Sequence, residues 1–410
     1  MTDPIIAKRL VFHVGGYDPM PPQAVRRRFV RELQRFAGTW SASIASVSEA
    51  EVGADEAAWR IVTSGPNWRV ETDYRHVRWD DIIEAARRRP TWRRVPLALL
   101  AFIDFVAAGA LFGYFRTNWR YALFFLSPFL VFAVLAGLAA LAGAGIAHAS
   151  GSAVLGALAA LAALALLLRW PGQRLQLDLM FDDWVFARDY VRGRDAVLEP
   201  RLDRVARQIT EAARRRDADE ILIVGHSLGA VLAVDLLDRA LALDPALGRT
   251  GAPLALLSVG SSIPKIGLHR GARRFRAALE RVAKAPGLFW GEYQALTDVM
   301  NFYKTNPVEC LGMSAAGGPV VRVVRISLML DPVAYRRIRR NFYRVHCQFI
   351  SANDRRADYD YFMLLCGPVP AERQVRSPNG AQAAIGPDGT LLEEPSEEPT
   401  RTCRSRVGHG

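Results

Sequence analysis

Residues 221–230 read ILIVGHSLGA. Four aliphatic residues run into Gly225-His226-Ser227-Leu228-Gly229, and AVLAVDLLDRALAL (230–243) follows with the apolar spacing of a helix. A serine hydroxyl is a weak nucleophile until a base lies against it and its turn exposes it. Glycines two before and two after meet the second need, because they keep Cβ atoms from colliding in a tight strand-to-helix turn. The stretch therefore predicts a buried strand, a sharp turn and a helix, with Ser227 as a nucleophile at the helix N-terminus.

On the N-terminal side of this stretch lies a block of different character. From Tyr121 to Leu168 there is no Lys, Arg, Asp or Glu, which is membrane-grade composition. Three apolar segments stand out: 96–115, which carries Asp104, 121–147, and the nearly pure Ala/Leu run 152–170. Basic residues cluster around them, in RRRPTWRR (87–94) and at Arg116, Arg120, Arg169 and Arg174. The 121–170 hairpin is basic only at its outer ends, so both ends are expected on the cytoplasmic side and the AHASGS turn outside. Segment 96–115 is basic at both ends. It is expected to be re-entrant, interfacial or packed against the hairpin, with a third full span as the alternative.

Over 410 residues the formal net charge is +12. The basic residues sit where anionic headgroups would meet them, and no recognition-helix, zinc-finger or RNP-like pattern accompanies them, so nucleic acid is not expected as a partner. The cysteines, Cys310, Cys347, Cys366 and Cys403, form no CxxC pair and predict reduced thiols rather than a disulfide framework. No HExxH or similar spacing points to a metal, and no cofactor is expected. The N-terminus lacks the pattern of a secretory signal.

KRLVFHVGGYDP (8–19) predicts a strand ending in a Gly-Gly turn, and residues 58–79 predict two strands around Ser64-Gly65-Pro66-Asn67. Further strands are expected at 253–262 and 320–330, and amphipathic helix over much of 177–216.

The GHSLG segment, in its strand–helix setting, resembles the nucleophile elbow of α/β-hydrolase-fold lipases and esterases. The resemblance covers 1–80 and 175–370, and it implies a mostly parallel sheet flanked by helices, here with an inserted membrane-spanning helical segment. It also implies triad partners in the order serine, acid, histidine. Of the histidines after Ser227, His409 falls in the tail and His269 comes early, which leaves His346 as general base. Asp298, on the loop expected after the next strand, is the acid, with Asp331 as runner-up. The oxyanion hole would use the N–H of Leu228 and a second donor from the loop Gly15-Gly16-Tyr17, with Gly16 and Tyr17 as candidates.

These expectations divide the chain into 1–90 and 175–370 as hydrolase domain, 91–174 as membrane insert and 371–410 as a disordered tail rich in Pro, Gly, Ser and Glu. If 8–16 and 220–225 share a sheet, the insert must cross the bilayer an even number of times. The leading functional reading is a membrane-anchored serine hydrolase cleaving carboxylic esters by a Ser227–His346–Asp298 triad. The lipid bilayer is its partner, and lipid-like esters are the first substrates such a site would meet. Its rivals are a non-catalytic membrane scaffold retaining the fold and, less favoured, a transporter component. The preference for Arg over Lys, with only Lys8, Lys265, Lys284 and Lys304, hints at a GC-rich bacterial genome and so at a bacterial inner membrane.

Overall fold

In the computed structural model of the chain, residues 5–314 and 317–392 are described. The strands are β1 (Lys8–Val14), β2 (Ser43–Val47), β3 (Glu51–Val52), β4 (Glu56–Ser64), β5 (Arg69–Val77), β6 (Glu220–His226), β7 (Leu254–Val259), β8 (Leu288–Ala295) and β9 (Val320–Val324). They form one sheet in the order β2-β4-β5-β1-β6-β7-β8-β9, with β3 pairing on β4.

From β5 to β9 every neighbouring pair is parallel, whereas β2, β3 and β5 all pair antiparallel with β4. The sheet is therefore mixed, not mostly parallel as expected. The cause is local: β4 and β5 are joined by the short Ser-Gly-Pro-Asn turn, which permits only an antiparallel return. The short, largely exposed strands β2 and β3 extend that antiparallel end, and at five and two residues they are too brief to show the alternation that marks a strand.

Side chains alternate between the two faces of the central strands, as the two-residue repeat of a strand requires. Leu10, Phe12, Val14, Ile221 and Ile223 enter one core, and Val11, Leu222 and Val224 enter the other. Every residue of β6 is buried, which is why it reads as an unbroken apolar run. At its start Glu220 pairs with the fully buried Arg9 at 2.8 Å, and Arg9 also donates to the carbonyls of Gly367 and Val369. Satisfied on all sides in this way, the charges can be buried.

The helices up to the elbow are α1 (Pro22–Trp40), α2 (Asp80–Arg87), α3 (Thr91–Ala107), α4 (Ala110–Thr117), α5 (Trp119–Ser150), α6 (Ala153–Leu167), α7 (Leu177–Val191), α8 (Leu198–Arg215) and α9 (Gly229–Leu243). The hairpin of α5 and α6, the latter continued to Gly172, is long and apolar enough to cross a membrane. It is packed through small residues: a Cβ on Gly143 would lie 2.6 Å from that of Ala160, and one on Gly156 would lie 2.5 Å from that of Ala147. The pair α3–α4 is bent by 67° at its junction. Asp104 on α3 is paired with Arg188 of α7 and with Arg192 just past its end, and lies 3.4 Å from His269. This segment is thus tied to the sheet domain along one face.

Because β1 and β6 pair residue for residue, any bilayer crossed between them has to be crossed an even number of times. The two long apolar helices meet that condition, and a third span through α3–α4 would break it.

The segment from Ala371 departs from the expected disorder as far as it is described. Ala371–Arg376 is helical, Ile385 and Leu391 are buried, and Asn67 bonds both the N–H and the carbonyl of Leu391 at 2.8 Å. Trp68 Nε1 also donates to the Gly389 carbonyl. Long-range contacts with the β4–β5 turn outweigh local composition here. Residues 393–410, with Cys403 and His409, lie outside the described residues.

Candidate active site

β6 delivers Gly225 and His226 to the C-terminal edge of the sheet, and the next residue, Ser227, takes the left-handed φ of 56°. A non-glycine residue is strained in that region, and such strain persists where surrounding structure over-determines it. The flanking glycines show what does so. A Cβ on Gly225 would lie 2.4 Å from the Ala230 Cα. On Gly229 it would lie 2.2 Å from the Val14 carbonyl oxygen and 2.3 Å from that of Gly15. Gly229 thus lets the first turn of α9 press onto the end of β1, bringing the loop after β1 to the serine. A Cβ on Gly16 would lie 3.0 Å from Ser227 Cβ and 3.5 Å from its Oγ.

The loop after β8 supplies Asp298, 2 % exposed. Its Oδ1 accepts the Met300 N–H at 2.8 Å and its Oδ2 lies 2.7 Å from Nδ1 of His346, at the end of the short helix Phe342–His346. Asp331 instead caps a helix start by accepting the Val333 N–H. With its Nδ1 proton directed to the carboxylate, His346 keeps a lone pair on Nε2, and that buried nitrogen has no hydrogen-bond partner. His346 and Ser227 line one cavity of about 200 Å³, together with Gly16, Tyr17 and Leu228. The N–H groups of Gly16, Tyr17 and Leu228 are not taken up by any backbone carbonyl among the described residues.

No family model, curated protein or solved structure matches the chain.

Five of the six residues singled out from sequence therefore line a single cavity, and the sixth, Asp298, stands directly behind His346. Several neighbours were not anticipated. His226, inside the motif itself, packs against His346 with ring centroids 4.6 Å apart and planes tilted by 35°, and its Nε2 lies 3.3 Å from the His346 carbonyl. A carbonyl only accepts, so this nitrogen carries the proton. Burial holds the His226 pKa well below its ordinary value, assisted by His346, and the ring stays neutral. His13 and His76 are register partners on β1 and β5, with Nδ1 atoms 3.3 Å apart on the cavity wall. Burial lowers both, His76 to about 4, so this pair is also neutral at physiological pH.

Lys265, fully buried at the cavity, pairs with Asp183 and lies 4.1 Å from the Trp184 ring centre. Burial lowers its pKa against the pull of Asp183. Behind the elbow, Glu292 on β8 accepts from Ser258, Ser261 and Gln294. The adjoining Ser262 N–H donates to the Ser227 carbonyl at 3.1 Å. Burial pushes the Glu292 carboxyl up to about 7. The one signal that could have revealed this brace is a lone Glu in the apolar strand LFWGEYQA, since such a residue is buried only with partners.

Proposed function

We propose that the protein is a serine hydrolase of the α/β-hydrolase type, anchored in a membrane by α5–α6 and acting on carboxylic esters. The observation that carries this reading is His346: one ring nitrogen is engaged by buried Asp298, and the other is unpartnered in the cavity that holds strained Ser227.

In the reaction, Ser227 Oγ attacks the ester carbonyl while its proton passes to His346 Nε2. Asp298 keeps the imidazole in the required tautomer and stabilises the imidazolium. The tetrahedral oxyanion is held by the Leu228 N–H and one from Gly16 or Tyr17, and such donors are each worth about 10²–10³ in kcat. Collapse expels the alcohol, protonated by His346, and leaves an acyl-serine. Water activated by the same histidine then releases the acid and restores the serine. The domain is expected on the cytoplasmic face, from the basic flanks of the hairpin.

A fluorophosphonate probe tests the reading: it should label the detergent-solubilised protein at Ser227 and lose that label in Ser227→Ala. Folded protein that resists the probe and cleaves no ester would instead support a non-catalytic scaffold.

A further inference from the structure

A second cavity, of about 770 Å³, lies at the foot of the hairpin. One wall is the first three turns of α5, from Trp119 to Val131, and the other is the loop Leu296–Met300 that carries Asp298. It shares Phe124, Gln176, Met180, Met300 and Tyr343 with the cavity of Ser227. The two spaces thus abut along common side chains.

The hairpin sets the height of this cavity relative to a bilayer. At 1.5 Å per residue, α5 is about 48 Å long, against roughly 30 Å for a hydrocarbon core. Its first turns must therefore stand outside the core, and there Tyr121 and Phe125 are buried against the sheet domain. The Gly143–Ala160 and Gly156–Ala147 contacts fix the stagger of the two helices, which brings Arg169 and Trp170 level with the turn just after Val131. The cavity consequently opens at the headgroup layer.

The ends of the apolar segments carry the marks of that layer. Trp92, Trp119 and Trp170 are 68%, 58% and 65% exposed. Each has an arginine over its ring: Arg93 at 4.6 Å, Arg120 at 5.7 Å and Arg174 at 5.1 Å. Exposed Trp beside Arg suits the interface, where one side of the ring is apolar and the other wet. Charge narrows the ligand further. Arg120 and Arg174 line the cavity with no carboxylate in its wall, and neither forms an ion pair among the described residues.

We infer that the substrate is an anionic acyl-ester lipid of the leaflet facing the sheet domain. It would be drawn sideways through the second cavity, with its headgroup held by Arg120 and Arg174 and its ester carbonyl brought to Ser227. The inference rests on the hydrolase reading above. Ser227 forms the acyl-enzyme, the lyso-alcohol leaves with the proton from His346, and water releases the fatty acid.

The test uses the full chain reconstituted in phosphatidylglycerol or phosphatidylcholine vesicles, with p-nitrophenyl butyrate as a soluble short ester and fatty-acid release as the lipid readout. Phosphatidylglycerol should be cleaved at least ten-fold faster than phosphatidylcholine, and Arg120→Gln with Arg174→Gln should erase that preference. Ser127→Trp, filling the second cavity from α5, should lower the ratio of long-lipid to short-ester kcat/KM about ten-fold. Val299→Trp does the same from the opposite wall should the first variant fold poorly. Fluorophosphonate labelling and butyrate cleavage without lipid cleavage, or a ratio unmoved by both tryptophans, would overturn the lipid route and leave the triad standing. Absence of labelling would remove both.

Discussion

Asp298 and His346 are joined by a 2.7 Å contact between Oδ2 and Nδ1, while the other carboxylate oxygen takes the Met300 N–H. The acid is thus fixed by its own loop before it fixes the histidine. Asp298→Asn would present an amide in place of the acceptor and favour the wrong tautomer. The expected loss is about 10³–10⁴ in kcat with little change in KM. Asp331→Asn, which loosens only a helix cap, should stay within a few-fold of the parent. Steady-state ester hydrolysis compares the two, and equal effects would remove Asp298 from the triad.

Gly229 has no room for a methyl group, because the Val14 carbonyl would lie 2.2 Å from it. Gly229→Ala should destabilise by roughly 1–3 kcal/mol through overpacking and should also displace the loop after β1. Gly38, within α1, has open space to 4 Å where a Cβ would stand. Gly38→Ala should therefore stabilise by up to about 1 kcal/mol through helix propensity. Thermal unfolding in detergent, with probe labelling in parallel, reads both changes, and a Gly229→Ala protein as stable and reactive as its parent would contradict the packing described.

Glu292 gives the fold a pH dependence of defined sign. Its carboxyl rises from 4.5 to about 7 on burial, so the folded state binds this proton more tightly than the unfolded chain. The stabilisation is complete below pH 4.5 and is lost as pH climbs to about 7. It is worth about 3 kcal/mol at most. Glu292→Gln keeps the shape and removes the titration. Its melting temperature, taken relative to the parent, should rise between pH 5 and pH 7.5, and parallel profiles would show that Glu292 does not titrate in this window.

The pairing of β1 with β6 on either side of the hairpin constrains topology independently of charge. Reporter fusions after Arg89 and after Arg174 should report the same side, and one at Ser150 the other side. Opposite sides for the first two would be incompatible with the sheet.

The elbow was legible because its geometry depends on two residues without side chains at fixed spacing, and Gly225 and Gly229 each abut backbone atoms. Asp298 was legible through its place after the next strand, and the β4–β5 hairpin through its turn. What the sequence hid depends on register between distant strands. His13 meets His76 only because β1 and β5 align residue on residue, and nothing near either histidine announces the other. The antiparallel end of the sheet was missed because β2 and β3 are short and largely exposed, too brief to show a repeat. The segment after Ala371 was misread because it is rich in Pro, Gly, Ser and Glu, while its order comes from Asn67 and Trp68, more than 300 positions away.

The two neighbours of β1 lie on opposite sides of the membrane insert in the chain, with β5 before it and β6 after it. During synthesis the ribosome therefore finishes both long apolar helices before one edge of β1 has anything to pair with. Ser227 emerges later still, after both long apolar helices. A nascent chain arrested before Glu220 should show its hairpin embedded and residues 8–77 open to protease. On the proposed reading, attachment would come before competence, written into the order of the sequence itself.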